Sequence, residues 1–320
     1  MIFTLLVAAA GVAALVLVLR SEQARGCRHI RRAQYLRDSC RPAEAAIVLQ
    51  EPISWDQISP GLLNLAVEIW ISAGDYLQAL TVQCSFNPVT ADDAKNLLLV
   101  QINRAEAEYN LGRWKAAWSR LCSLDARVAP YPITRAGLAL QRAWILSHTN
   151  RAEEARWTWE RADMDGLPCQ YRAEHYFTHV AVLLALGRIE QAADAAAAGA
   201  DAAVRPSSER NALFMLARVD AAKGEWERAE VLCRTAANHP FRGQGGDGLL
   251  LWGDVLTRLG RLDEARQAYE LCIARDGQSE SALVAGARQA TLHSLPGTEG
   301  ELRPERGPRI LPLKGLNRKA

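Results

Sequence analysis

The phrase Gly74-Asp75-Tyr76-Leu77-Gln78-Ala79 decides the fold, because variants of it return along the chain at an almost fixed interval. The first residues of the six copies are Gly74, Gly112, Asn150, Gly187, Gly224 and Gly260. Their successive separations are 38, 38, 37, 37 and 36 residues. A period in this range is typical of solenoids built from paired helices.

Each copy of the phrase lies between two apolar runs of helical length. Glycine or asparagine ends a helix in the left-handed conformation at low energetic cost, so its place in the phrase predicts a tight helical hairpin. A small residue stands seven or eight places before five of the turn residues, where the two helices of a hairpin would cross. These small residues are Ala66, Ala105, Ala143, Ala217 and Gly253.

This combination of positions resembles the tetratricopeptide repeat (TPR) family. The resemblance implies an all-α, TPR-like right-handed solenoid of antiparallel helix pairs. A degenerate seventh hairpin turning at Cys40 is expected to precede the others, and residues 279–293 are expected to form a C-terminal capping helix. The resulting organisation is a transmembrane anchor (1–20), a basic juxtamembrane segment (21–32), the solenoid (33–293) and a disordered tail (294–320).

The first residues predict an N-terminal transmembrane helix. Residues 2–19 carry no charge, and about this many apolar residues are needed to cross a bilayer. Arginines follow this stretch, so the positive-inside rule predicts a single-pass protein whose N-terminus lies outside and whose repeats face the cytoplasm. A cleaved signal peptide is the alternative, and it would make the chain an exported, periplasmic TPR factor in envelope assembly.

The arginines after the apolar stretch predict contact with anionic lipid headgroups. The five that we assign to this lipid-facing surface are Arg20, Arg25, Arg28, Arg31 and Arg32. The overall net charge of +2 indicates nothing about partners.

We find no residue pattern that predicts catalysis, a metal site, a cofactor or nucleic-acid binding. The seven cysteines are odd in number and never paired as Cys-x-x-Cys, which favours free thiols in a reducing compartment. His175 and His179 share a helix face, but the zinc-protease pattern needs a glutamate where Tyr176 stands. The glycine-rich stretch 242–248 follows no strand and lacks the Gly-Lys-Ser/Thr of a phosphate-binding loop.

In TPR domains the first helix of each hairpin lines a concave groove, which the resemblance implies as the binding site for a protein or peptide partner. The groove residues that follow from this rule are Asn64, Glu68, Leu99, Ile102, Glu106, Tyr109, Leu140, Trp144, Phe177, Leu184, Phe214 and Arg218. Trp144 and Phe177 are expected to be central anchors, since they are large and lie in the middle of the array. The chaperone-binding subclass clamps a C-terminal carboxylate with Lys and Asn at groove positions that hold other residues here.

The expected function is therefore a membrane-anchored TPR scaffold or adaptor without enzymatic activity. The layout of anchor, basic segment and repeats also resembles bacterial regulators of lipopolysaccharide assembly. Those regulators carry a C-terminal Cys-x-x-Cys metal module that this sequence lacks.

Overall fold

The computed structural model describes residues 23–294, except 52, 54, 56, 57, 83–87, 163–166, 242 and 244. The secondary structure of these described residues is all helical and includes no β-strand. The helices are α1 (23–38), α2 (Pro42–Leu49), α3 (Pro60–Ala73), α4 (Tyr76–Thr81), α5 (Ala91–Asn110), α6 (Trp114–Cys122), α7 (Asp125–Val128), α8 (Pro132–His148), α9 (Ala152–Glu160), α10 (Arg172–Ala185), α11 (Ile189–Asp201), α12 (Pro206–Lys223), α13 (Trp226–Ala237), α14 (Gly246–Arg258), α15 (Leu262–Asp276) and α16 (Glu280–Ser294).

The turn residue of every predicted hairpin adopts the left-handed conformation. The φ angles run from 62° at Cys40 and Asn150 to 82° at Gly224. In each turn the residue after the turn residue donates its backbone N–H to a carbonyl in the last turn of the first helix, as Asp75 does to Trp70 at 2.9 Å. The repeating phrase therefore encodes a repeating backbone geometry, including at the two turns that lack glycine.

Small residues allow the paired helices to approach closely. Ala66, Ala105, Ala143 and Ala217 have no exposed surface. At Gly253 an added Cβ would lie 2.2 Å from a ring carbon of Tyr269, so even a methyl group does not fit. The prediction of small residues at the helix crossings is confirmed.

The hairpins stack in chain order. The first helices of successive hairpins form a continuous inner row in which α3 contacts α5, α5 contacts α8, and the series continues through α10, α12 and α14. Helix α16 covers the end of this stack by packing on α14 and α15 through Ala285 and Leu292, both buried. Helix α7 is a short insertion between the third and fourth hairpins that the repeat pattern did not predict.

The repeat body begins before residue 33, the boundary predicted from the sequence. Residues 23–38 form one helix, and Ile30 within it has no exposed surface. Gly26 is also buried, and an added Cβ at this position would lie only 2.6 Å from Ile58 Cδ1. The predicted anchor (2–19), Arg20 and the predicted tail beyond residue 294 lie outside the described residues. Among the helices of the described part, none is long and apolar enough to cross a membrane.

Candidate ligand-binding lumen

The solenoid coils tightly enough for distant hairpins to meet across its concave side. Tyr109 ends α5, Trp144 and His148 end α8, and Arg218 lies on α12. The Tyr109 and His148 ring centroids are 6.0 Å apart, and those of Trp144 and His148 are 4.6 Å apart. The Arg218 guanidinium lies 5.9 Å from the Trp144 ring centroid. We call the concave interior lined by these four side chains and Asp247 of α14 the lumen.

All five lumen side chains keep part of their surface exposed. Burial nevertheless shifts the pKa values of three of them, Tyr109, His148 and Arg218. Burial, followed by repulsion from the Arg218 guanidinium, lowers the pKa of His148 to about 4. Burial also raises the pKa of Tyr109 well above its ordinary value. Side chains that are accessible yet desolvated are expected inside a narrow cavity that water can enter.

The hydrogen bonds of His148 define its tautomer. Its Nδ1 lies 2.9 Å from the Trp144 carbonyl oxygen, which can only accept, so Nδ1 carries the proton. The lone pair on Nε2 then accepts a hydrogen bond from Arg218 Nη2 at 3.4 Å. A neutral His148 therefore orients the guanidinium without competing with it for negative charge.

The lumen is closed on one side by a seam between the second hairpin and the C-terminal end of the stack. The α3–α4 turn meets the end of α15, where an added Cβ on Gly74 would lie 2.9 Å from Asp276 Oδ1. Tyr76 hydrogen-bonds the Asp276 carboxyl, which also accepts from the Gly246 backbone N–H at 3.1 Å. The α5–α6 turn touches the start of α16, where an added Cβ on Gly112 would lie 3.5 Å from Glu280 Cβ.

Arg210 fastens the loop before α14 against the same seam. The buried Arg210 guanidinium donates to the Gly243 carbonyl at 2.8 Å and lies 5.4 Å from the Phe214 ring centroid. Gly243 in turn abuts α3, since an added Cβ there would lie 2.4 Å from the Ser72 carbonyl oxygen. The described part of the glycine-rich stretch thus contributes to the seam, at which the two ends of the solenoid meet and close it into a ring.

Two carboxyls at the seam are strongly desolvated. Burial, assisted by the Asp247 carboxylate, raises the pKa of Asp276 to about 6, although the hydrogen bonds that Asp276 accepts act in the opposite direction. Burial and Asp247 also raise the pKa of Glu280. The seam therefore brings three carboxyls, Asp247, Asp276 and Glu280, together on the side of the lumen formed by α14, α15 and α16.

The structure distributes the predicted groove residues over two environments. Five are buried in the packing of the helices: Asn64, Ile102, Leu140, Phe177 and Phe214. The other seven are partly exposed: Glu68, Leu99, Glu106, Tyr109, Trp144, Leu184 and Arg218.

Phe177 illustrates why the groove rule does not by itself identify a binding surface. Its ring packs against α11, where an added Cβ on Gly199 would lie 2.9 Å from the ring, and 4% of its surface is exposed. It is a core residue, and the expectation that it is an accessible central anchor needs correction. Trp144 is the anchor candidate that remains.

Several polar groove residues hold adjacent hairpins together. Asn103 donates to Asn64 Oδ1 at 2.9 Å, and Asn64 donates to Glu68 Oε1 at 2.9 Å. Glu68 also pairs with Arg37 at 3.3 Å. This ladder links α5, α3 and α1, so Asn64 and Glu68 already have partners inside the molecule.

Sequence reasoning missed His148, Tyr76, Asp276 and Glu280. His148 lies two places before the turn residue Asn150, outside the groove positions that the family rule selects. The other three lie at a contact between hairpins far apart in sequence. No local signal marks such a contact.

The histidine pair considered from the sequence packs against an indole ring. The Trp159 ring stacks on His179 at 3.7 Å and on His175 at 4.8 Å between centroids. Burial lowers the pKa of His175 to about 4 and lowers that of His179 as well. Within the described ranges, no group of three potential ligands is arranged to hold a metal ion.

The comparisons with known proteins agree with a fold of stacked helical hairpins. A family model described as a tetratricopeptide repeat-like domain matches residues 145–292. Residues 145–292 form a TPR-like domain. The fold is also similar to a crystal structure of a Rap protein complexed with competence and sporulation factor, at a TM-score of 0.53 and 13% identity over 85% of this chain and 82% of that one. At this identity the likeness shows the fold alone. No curated protein matches the chain.

Proposed function

We propose that this chain is a membrane-tethered scaffold that holds a segment of a partner protein inside its lumen. The observation that carries this proposal is the convergence of Tyr109, Trp144, His148 and Arg218 from three separate helices on one partly exposed concave surface. Two aromatic rings and a guanidinium are the groups that dominate binding energy in protein interfaces. We propose a non-catalytic role for this surface.

The TPR-like fold supports an adaptor role. The structurally similar Rap protein is complexed with competence and sporulation factor, so a related fold does accommodate a binding partner. The identity of the partner of this chain does not follow from that likeness. The groups that line the lumen are the better guide to its chemistry.

We further propose that residues 2–19 tether the scaffold to the membrane, with the repeats on the cytoplasmic side. Eighteen uncharged residues followed by arginines support this topology. The alternative is an exported protein whose first segment is removed. Mass spectrometry of the protein purified from its native membrane distinguishes the two: a peptide that contains Met1 supports the tether, and a mature start near residues 21–28 supports export.

The exposed arginines of α1 provide a second test of membrane proximity. Arg25, Arg28, Arg31 and Arg32 are all exposed, and each contributes about 1 kcal/mol of attraction to an anionic surface at low salt. A fragment of residues 20–320 should therefore bind phosphatidylserine vesicles in a salt-sensitive manner. Replacing the four arginines by glutamine should remove most of this binding, and undiminished binding would refute a lipid-facing α1.

The binding role of the lumen is tested with one variant and a matched control. Trp144→Ala should abolish co-purification of the main partner, and the interaction should then be rebuilt from the two purified proteins. Trp157→Ala removes an equally large ring, more than half exposed, from α9 and should leave capture unchanged. Unimpaired binding by a folded Trp144→Ala variant would locate the partner outside the lumen.

A further inference from the structure

The outer side of the first hairpin carries charge of one sign. Between positions 24 and 35, helix α1 exposes six residues, which are Ala24, Arg25, Arg28, Arg31, Arg32 and Tyr35. At 3.6 residues per turn, these six lie within an arc of about 120° on one face of the helix. No aspartate or glutamate occurs between residues 23 and 37. The exposed face of α1 is therefore a positive strip with a tyrosine near its C-terminal end.

The four arginines of this strip differ from Arg37, the remaining arginine of α1. Arg37 pairs with Asp38 at 3.1 Å and with Glu68 at 3.3 Å. Within the described ranges, none of the four exposed arginines forms an ion pair with a carboxylate. Their charges face solvent, where an external partner can reach them.

Two large apolar side chains extend this surface onto α2. Tyr35 is 70% exposed and Ile47 is 62% exposed. Arg41 lies between them, since its pKa is raised by its hydrogen bonds to Glu44 and also by the nearby Tyr35. Ile47 follows Glu44 by three places on the same side of α2. We call the surface formed by Arg25, Arg28, Arg31, Arg32, Tyr35 and Ile47 the outer face.

The outer face belongs to the folded repeat body. Ile30, Ala33 and Leu36 on the other side of α1 share one buried cluster with Val48 and Leu49 of α2 and with residues of α3. The exposed arginines are therefore fixed on a packed helix. A partner that binds the outer face also sets the orientation of the hairpins that stack on it.

The mixture of side chains favours a bilayer surface as the partner. Arginines attract anionic headgroups, and a tyrosine ring and an exposed isoleucine suit the boundary between headgroups and acyl chains. A nucleic acid would attract the arginines through its phosphates, but it offers no apolar environment to Ile47.

The position of the outer face along the chain supports the same partner. Helix α1 begins four residues after the uncharged stretch 2–19 ends, and four residues span at most about 14 Å. A tether formed by residues 2–19 therefore keeps the start of α1 near the membrane surface, at a distance comparable to the range over which surface charge acts.

We infer that the outer face docks on an anionic bilayer, with its arginines at the lipid phosphates and with Tyr35 and Ile47 in the interfacial layer. This inference rests on the proposed tether and goes beyond it. A tether limits only the distance of the repeats from the membrane, whereas docking selects one face of the first hairpin and holds the solenoid in one orientation.

The test uses the full chain in nanodiscs of phosphatidylcholine, with or without phosphatidylserine. All cysteines except the buried Cys233 and Cys272 are replaced by serine, and a fluorescent NBD group is attached to Ile47→Cys. The matched position is Val231→Cys on α13, where the aliphatic side chain is 50% exposed. Nitroxide-labelled lipid in the disc quenches the NBD group only where that group reaches the bilayer.

The charge of the outer face is tested with two quadruple variants that lose the same net charge. The first replaces its four arginines by glutamine. The control replaces four exposed arginines of other hairpins by glutamine, and these are Arg113, Arg127, Arg172 and Arg188. Circular dichroism confirms that both variants are folded.

The NBD group at position 47 should be quenched in discs that contain phosphatidylserine, and the group at position 231 should not. The outer-face variant should lower the ratio of docked to undocked chain at least about tenfold at low salt, because each arginine adds attraction to an anionic surface. The control variant should dock like the unsubstituted chain. Tyr35→Ala should weaken docking by a smaller factor.

Absence of quenching at position 47, in a chain that stays in the disc at high salt, would overturn the inference and leave the tether intact. Equal quenching without phosphatidylserine, or in the outer-face variant, would also overturn it. Loss of quenching on addition of duplex RNA at an equal phosphate concentration would show that the face prefers a nucleic acid. If the chain leaves the disc at high salt, the tether and the inference both fail, and the binding role of the lumen is unaffected.

Discussion

Replacing Gly112 and Glu280 by cysteine is expected to cross-link the seam that closes the ring. An added Cβ at Gly112 would lie 3.5 Å from the Glu280 Cβ, which is within the range of disulfides. Cysteine is compatible with the left-handed turn position because Cys40 occupies the equivalent place in the first hairpin with φ of 62°. The position of the cross-link reports directly on contact between the third hairpin and the capping helix.

The expected gain in stability follows from the length of the closed loop. A disulfide that closes a loop of about 170 residues removes unfolded-state entropy worth about 5 kcal/mol. A non-glycine residue in the left-handed conformation costs about 1–2 kcal/mol, so the net gain is about 3 kcal/mol. For a protein of this size, that gain raises the melting temperature by about 5 °C.

The assay compares oxidised and reduced protein in a background where the exposed Cys122 and Cys169 are serines. Mass spectrometry should identify the 112–280 disulfide after mild oxidation by glutathione, and thermal melting should show the increase only in the oxidised form. The single variant Glu280→Cys serves as the control. Failure of the disulfide to form in folded protein would mean that the ring is open in solution, and the description of the lumen as closed would be wrong.

Three further predictions concern the packing and charge of the ring. In the folded state the pKa of Asp276 is raised from 3.8 to about 6, so its contribution to stability is present below pH 4 and is lost as the pH rises through 6. Asp276→Asn should remove that loss and raise the melting temperature at pH 8 relative to wild type. A pH series of thermal melts checks this prediction. Phe177→Ala should lower the free energy of unfolding by about 3–5 kcal/mol, whereas Trp144→Ala should lower it clearly less because Trp144 is partly exposed. Urea titration measures both values, and equal losses would contradict the assignment of Phe177 to the core. Gly253→Ala should destabilise the protein by about 1–3 kcal/mol, because an added Cβ would lie 2.2 Å from the Tyr269 ring on α15. Gly137→Ala on α8 should stabilise it by about 0.5–1 kcal/mol, because nothing lies within 4 Å of an added Cβ there. The two variants should therefore shift the melting temperature in opposite directions.

The hairpins were predictable from the sequence because their decisive feature is local. A left-handed turn residue, a small residue at the crossing and apolar runs on either side determine each hairpin within about 30 residues. The pattern held even where asparagine or cysteine replaced glycine, at Asn150 and Cys40, because the flanking helices impose the same backbone turn. In the part of the chain that the structure describes, the short helix α7 and the 3-10 helix Cys169–Tyr171 interrupt the repeat without a signal in the phrase.

The candidate site was less predictable because it depends on how tightly the whole array coils. Repeat spacing assigns Tyr109, Trp144 and Arg218 to the inner row, but it does not give the distance between hairpins three places apart. The same spacing assigns Ile102 and Phe177 to the groove, but the structure buries both. The contacts of Asp276 and Glu280 arise from the accumulated rotation of all the hairpins, which no single repeat encodes.

The most direct test of the account is a photo-cross-link from inside the lumen. Benzoylphenylalanine incorporated in place of Tyr109 in the full chain should attach covalently to the partner on irradiation in cells. The same group in place of Trp157, on the outer helix α9, should not. Mass spectrometry of the attached peptide should then identify one segment of the partner. Cross-linking of the partner from position 157 and not from position 109 would show that binding takes place on the outside of the ring and would contradict the account.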